Sequence, residues 1–237
     1  MQPISGGLCS VCGERLVSPY AFRVETEARC GLCRRLGQPY VRAAAYGSYE
    51  GGLRDLIHLL KYQQVRPAAN VLGRMLAEVI TGFGPVWGEA RILVAPVPLF
   101  RRKLRQRGFN QAELIARAAL KLGTGANDLS LEPQILERVR DTQSQIGLTP
   151  HQRRENLRGA FRVAEPKKVS GCDVLLVDDV LTTGTTASEC ARVLRKAGAE
   201  RIWVATVART LKHEVQAVSF QPQAPDEKVS LSMAAHG

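Results

Sequence analysis

Apolar residues recur along this chain in two alternating rhythms. Leu53, Leu56, Ile57 and Leu60 fall at i, i+3, i+4 and i+7, the spacing of one helix face, and Gly51-Gly52 open that helix. Leu72, Met75, Leu76, Val79 and Ile80 repeat the pattern and run into Gly82-Phe83-Gly84-Pro85, which stops a second helix. Short apolar runs keep the other rhythm. Val41 to Tyr46 reads as a linker strand, Arg91 to Ala95 and Val174 to Val177 as buried strands, Ala160 to Val163 as an edge strand, and Arg201 to Val207 as a last strand. Between them lie helices with Ile115, Ala118, Ala119 and Leu122 inward, and later with Ala187, Cys190, Ala191, Leu194 and Ala197 inward. This alternation predicts an α/β fold, a mostly parallel sheet with helices on both faces. The expected divisions are a small module over residues 1–40, the α/β domain over 41–212, and a disordered tail over 213–237, rich in Gln, Pro, Ser and small residues.

Composition narrows the partners. The chain has 237 residues, of which 45% are hydrophobic, enough for one α/β core beside a small module. Its 33 Lys and Arg exceed 22 Asp and Glu, a net charge of +11 that favours nucleic acid, polyphosphate or an acidic protein without choosing among them. No stretch approaches the roughly 18 apolar residues that span a bilayer. Met1 to Gly7 lacks the basic and apolar regions of a signal peptide, so a cytoplasmic protein is expected.

Val177-Asp178-Asp179-Val180-Leu181-Thr182-Thr183-Gly184-Thr185-Thr186 carries the strongest chemical signal. A buried strand delivers two carboxylates to its tip, and a loop rich in amides and hydroxyls then meets a helix N-terminus. Sheets of this class bind ligands there, and a helix N-terminus offers free amides to phosphate. The acids suit sugar hydroxyls or a magnesium shell, and the loop suits a monophosphate, so the pair asks for a magnesium-bound ribose phosphate. The plain alternative is a turn that caps a helix.

Of six cysteines, four form Cys9-Ser10-Val11-Cys12 and Cys30-Gly31-Leu32-Cys33, a doubled C-x₂-C with the spacing of a tetrahedral zinc site. Four thiolates close the coordination sphere, so the zinc would be structural. Cys172 and Cys190 stand alone and read as buried structural thiols.

Arg101, Arg102, Lys103, Arg105 and Arg107 crowd a segment that reads as a cationic loop between a strand and a helix. Such a loop suits pyrophosphate or nucleic acid. Lys61 reads as a solvated lysine, although it could reach a bound phosphate, and His58 as a surface or packing histidine. Glu137 to Leu148 reads as an irregular polar loop able to fold over the site. His151 to Arg158 resumes a basic helix.

Taken together these segments resemble the ComF family of competence proteins, a branch of the type I phosphoribosyltransferase superfamily. The resemblance runs from Cys9 to about Arg209. Besides the paired CxxC it rests on Leu53-Arg54-Asp55-Leu56-Ile57 with Leu60-Lys61-Tyr62, Pro96-Val97-Pro98-Leu99 and Arg107-Gly108-Phe109-Asn110-Gln111. It rests further on Arg153 with Asn156-Leu157, Gly159-Ala160-Phe161, and Leu175 to Thr186. It implies a zinc-ribbon module (Cys9, Cys12, Cys30, Cys33) on a phosphoribosyltransferase-like domain that takes phosphoribosyl pyrophosphate (PRPP) with magnesium. Asp178 and Asp179 would hold the ribose hydroxyls, Thr182, Thr183, Gly184, Thr185 and Thr186 the 5′-phosphate, and Arg107 with neighbouring cations the pyrophosphate. It also implies a role in DNA uptake during natural transformation, with a DNA-import helicase and a DNA-processing protein as partners.

One departure bears on chemistry. Catalytic members of the superfamily cover the acceptor with an added hood, whereas Val207-Ala208-Arg209-Thr210 leads straight into the polar tail. Three readings therefore stand side by side: a transferase using an unidentified nitrogen acceptor, a PRPP-binding protein that handles single-stranded DNA through the zinc module and the basic segment with Arg101, Arg102, Lys103 and Arg105, and a scaffold in which zinc module and helices dock a helicase.

Overall fold

The computed structural model describes residues 2–16, 28–87, 90–123, 128–142 and 149–211. The segment 17–27 between the two CxxC units and the tail from 212 lie outside the described residues. A one-and-a-half-turn helix, α1 (Gly31–Leu36), follows the second CxxC and leads to β1 (Arg42–Ser48). Then come α2 (Gly51–Tyr62), α3 (Ala68–Thr81), α4 (Gly84–Trp87), β2 (Ile92–Pro96), α5 (Arg101–Arg107), α6 (Gln111–Leu120) and β3 (Leu129–Leu131). The second half carries β4 (Leu136–Arg138), α7 (Pro150–Leu157), β5 (Phe161–Val163), α8 (Pro166–Val169), β6 (Asp173–Leu181), α9 (Thr185–Lys196) and β7 (Ile202–Arg209).

Five strands make one parallel sheet in the order β1-β7-β6-β2-β3. Pleating splits the buried residues of each central strand between two cores. Leu175, Val177, Trp203 and Ala205 pack beneath α2, α3 and α6, while Val174, Leu176, Ile202 and Val204 pack beneath α9. Helices thus cover both faces, as the alternation predicts. Gly73 lets α3 approach α6, because a Cβ there would lie 2.5 Å from that of Ala118.

Several expectations change in three dimensions. The apolar run after residue 40 is an integral edge strand, β1, in parallel register with β7, and no linker. The segment with Ala160 to Val163 is an edge of a separate antiparallel pair, β4 with β5, so Glu137 and Arg138 sit in a strand and not in an irregular loop. Residues 143–148 of that stretch lie outside the described residues. Leu122 is 54% exposed, since α6 ends before it, and Cys172 is only half-buried. Cys190 is buried, as expected.

The largest correction concerns Arg101 to Arg107, which form a helix rather than a loop. Phe100 enters in extended conformation and Gly108 closes the last turn at φ 77°, a backbone that favours glycine. Charge density alone concealed this, because the segment has Leu104 as its one apolar residue and so lacks an apolar stripe.

Candidate functional site

Connections leave the sheet in opposite directions at one place. From β6 the chain passes through α9 to β7 on one side, and from β2 through α5 and α6 to β3 on the other. The crevice between β2 and β6 is therefore the switch point where such sheets take ligands. A cavity of about 320 Å³ lies there, walled by the loop after β2 (Val97 to Leu99), the end of β6 and the Thr loop.

β6 runs on to Leu181 and does not stop at Val177, so Asp178 and Asp179 point to opposite faces. Asp179 turns toward α2 and α6. Its carboxylate forms an ion pair with Lys61 and accepts from Gln111 Nε2 at 3.4 Å. Burial works against this carboxylate, but the Lys61 ammonium holds it below the usual carboxylate range. Burial likewise works against the Lys61 ammonium, and Asp179 raises it. Asp178 turns the other way and accepts the Asp179 backbone N–H at 2.9 Å. Burial, with the Asp179 charge beside it, pushes Asp178 well above the usual carboxylate range.

Arg138 and Arg153 complete the far wall. Arg138 lies over the Phe161 ring at 5.3 Å and donates to Thr142 Oγ1, while its buried Nε has no hydrogen-bond partner among the described residues. At the open end, Gly184 caps α9 at φ 74°, and a Cβ there would approach the Tyr40 hydroxyl to 3.4 Å. The first amides of α9 have no intrahelical acceptor, the arrangement that receives a phosphate. Thr182 and Thr186 line the cavity, whereas Thr183 and Thr185 share a 2.8 Å hydroxyl hydrogen bond and line the opposite side of the loop.

The structure thus brings Asp178, Asp179, Thr182 and Thr186 to one cavity. Arg107 stands one link behind it, donating to Gln111 Oε1 and lying 6.0 Å from the Tyr62 ring centroid. Arg101, Arg102 and Arg105 are exposed on α5, and Lys103 is half-buried; none lines the cavity. Arg102 pairs with Asp141 at 2.8 Å. Lys61, Arg138 and Arg153 are the cations that do line it. Sequence reasoning missed them as a group: Lys61 is not solvated but 18% exposed and ion-paired. His58 meets the Tyr49 hydroxyl at 2.9 Å and the edge of Tyr62, a packing role.

The second site is the cysteine cluster. The four Sγ atoms of Cys9, Cys12, Cys30 and Cys33 all lie within 4.8 Å of one another, with Cys12 and Cys30 at 3.7 Å. A tetrahedral ion bonded at about 2.3 Å sets its sulfurs about 3.8 Å apart, so the donors fit and the cluster could bind a metal such as zinc. Burial pushes the Cys12 thiol up to about 12 and raises Cys33 as well. Thiolates in such a place need a cation among them.

This knuckle is bolted to the sheet next to the Thr loop. Arg209, buried at the end of β7, donates to Glu14 Oε2 at 3.1 Å and points Nη2 at Cys12 Sγ, 3.8 Å away. Arg209 is the register partner of Leu181, the residue before Thr182. The Ser188 hydroxyl on α9 donates to Gln38 Oε1 at 3.0 Å.

Several known proteins are similar to this chain. The phosphoribosyl transferase domain family matches residues 126–222. "DNA utilization protein YhgH" of Escherichia coli K12 is 31% identical over 213 residues, covering 86% of this chain and 91% of that protein. "Competence protein F" of Haemophilus influenzae is 32% identical over 211 residues, covering 86% and 90%. Among solved structures, an allosteric regulatory enzyme of purine biosynthesis aligns at 25% identity and TM-score 0.35 over 60% of this chain. The chain spans only 26% of that enzyme's length. Among the described residues, no helix is long and apolar enough to cross a membrane.

Proposed function

Since the chain belongs to the ComF family, we propose that it binds PRPP with magnesium at the β2/β6 switch point and serves DNA uptake in natural transformation. The observation that carries this reading is the cavity itself. It gathers an acid pair, a Thr loop at a helix N-terminus and three cations around about 320 Å³. Thr182, Thr186 and the first amides of α9 would hold the 5′-phosphate, while Thr183 and Thr185 face the other side of the loop. Asp178 would take the ribose hydroxyls, since Asp179 is already committed to Lys61 and Gln111. Arg138 and Arg153 would face the pyrophosphate, with Arg107 keeping Gln111 in place behind them.

Magnesium would supply charge neutralisation between pyrophosphate and ribose, and Asp178 is the acid open to its shell. In the cysteine cluster the metal would be zinc, held structurally by Cys9, Cys12, Cys30 and Cys33. DNA is the macromolecular ligand that the name of the Escherichia coli relative and the net charge of +11 support, and single-stranded DNA would be its form in uptake. One name speaks of DNA utilization and the other of competence, neither of nucleotide synthesis, which favours binding over transfer to a nitrogen acceptor.

The subsites can be separated by ligand pieces. Thermal-shift titrations with ribose 5-phosphate and with pyrophosphate should each stabilise the wild type. Arg138→Met should weaken pyrophosphate by about tenfold, the effect of removing one charge-assisted hydrogen bond, and leave ribose 5-phosphate unchanged. Equal weakening of both ligands would reject the assigned orientation.

A further inference from the structure

Two further hollows flank the segment that joins the cysteine cluster to β1. One, of about 730 Å³, lies between α1, α7 and α9 and is walled on one side by Thr183 and Thr185. The other, of about 710 Å³, lies between the cysteine knuckle and the N-terminal ends of β1 and β7. Gly37 and Gln38 wall both. The first hollow thus begins on the back of the Thr loop, and the second lies on the same Gly37-Gln38 segment beside the cysteine knuckle.

Arginines mark the whole route. Arg154, Arg158 and Arg192 line the first hollow, and Arg29, Arg42 and Arg201 the second. Three acids pair with three of these six arginines: Glu155 with Arg158 at 3.9 Å, Glu189 with Arg192, and Asp173 with Arg201 at 2.6 Å behind the second hollow. Positive charge is therefore in excess along the path. Apolar side chains lie between the arginines: Leu36 is 67% exposed and Val86 49%. A duplex hides its bases and would leave those side chains without partners. Splayed single-strand bases would cover them while the phosphates meet the arginines.

We infer that this trench, from Thr183 past Gln38 to Arg42, is the path of a single-stranded nucleic acid. The inference rests on the DNA role proposed above and moves the contact away from α5, whose exposed Arg101, Arg102 and Arg105 line neither hollow. The aromatic rings along the trench, Tyr40 and Trp203, are 5% and 2% exposed, so they offer no stacking platform. Backbone contacts dominate in that case, and affinity falls steeply with salt and little with base sequence.

Two triple variants with equal charge change provide the test. Arg42→Glu/Arg154→Glu/Arg158→Glu alters the trench, and Arg101→Glu/Arg102→Glu/Arg105→Glu alters α5. Each is titrated with a labelled oligothymidylate by fluorescence anisotropy and, separately, with PRPP and magnesium by calorimetry. The trench variant should lose oligonucleotide affinity by at least about tenfold, the α5 variant should stay within about twofold, and both should keep PRPP. Equal losses would reduce the effect to net charge and overturn the inference. So would a larger loss in the α5 variant, no binding by the wild type, or displacement of the oligonucleotide by polyglutamate at matched charge. Failure to bind PRPP in every protein would instead reject the cavity reading and leave the oligonucleotide result to stand alone. If the triple trench variant fails to fold, Arg154→Gln/Arg158→Gln should show the same selective loss.

Discussion

Lys61 and Asp179 form the residue pair on which the site's electrostatics turn. Removing one partner of a buried pair strands the other charge, which costs about 3 kcal/mol or more. Lys61→Met should therefore lower stability by about 3 kcal/mol in denaturant unfolding, and adding Asp179→Asn should restore most of it. An unchanged midpoint for Lys61→Met would show that the pair is not formed in solution. Asp178 gives a prediction in pH. Its carboxyl is held protonated above the usual range by burial and by Asp179, so the unliganded fold gains from that group at low pH and loses the gain as pH rises through its folded value. A ligand that needs the ionised form behaves oppositely. PRPP affinity should keep rising with pH well beyond about 5, where an ordinary aspartate is fully ionised; a calorimetric profile flat from there upward would contradict it. The acid pair and Thr loop were legible in sequence because they are contiguous. Lys61 was legible only as a lysine able to reach a phosphate, and Arg138 and Arg153 were not assigned to the cavity, since a single cation gives no sign of the place that tertiary packing brings it to.

At the scale of elements, periodicity located α2, α3, α6 and α9 because each buries one apolar face against the sheet. It could not find α5, which buries no residue and closes at Gly108. Nor could it pair β4 with β5, because three-residue strands carry almost no pattern. The cysteine spacing announced a module, but not its fastening. Arg209 ties that module to β7 beside the Thr loop, where its guanidinium faces Cys12 and Glu14. Partners behind metal ligands tune affinity by about 10–100-fold. Arg209→Met should release metal to a chromogenic chelator about tenfold faster than the wild type. Release at the wild-type rate would make Arg209 a packing residue only.

For the whole molecule, strand order decides where ligand goes. The sheet places one reversal of winding between β2 and β6, and the acid pair, the Thr loop and the loop after β2 meet there because of it. Sequence alternation implied a parallel sheet with helices on both faces, yet it held no information on strand order, which long-range pairing sets. The same architecture puts the Thr loop beside one arginine-lined hollow and the cysteine module beside the other, with Gly37 and Gln38 bordering both. The central claim is that this reversal point is a working PRPP site. Its most direct test is calorimetric titration of PRPP with magnesium into the wild type and Asp178→Asn, a variant that leaves the Lys61–Asp179 pair intact. The predicted result is saturable binding in the wild type that weakens at least about tenfold in the variant, as expected when one charged interaction is removed. No binding in the wild type, or equal binding in both, would contradict the account.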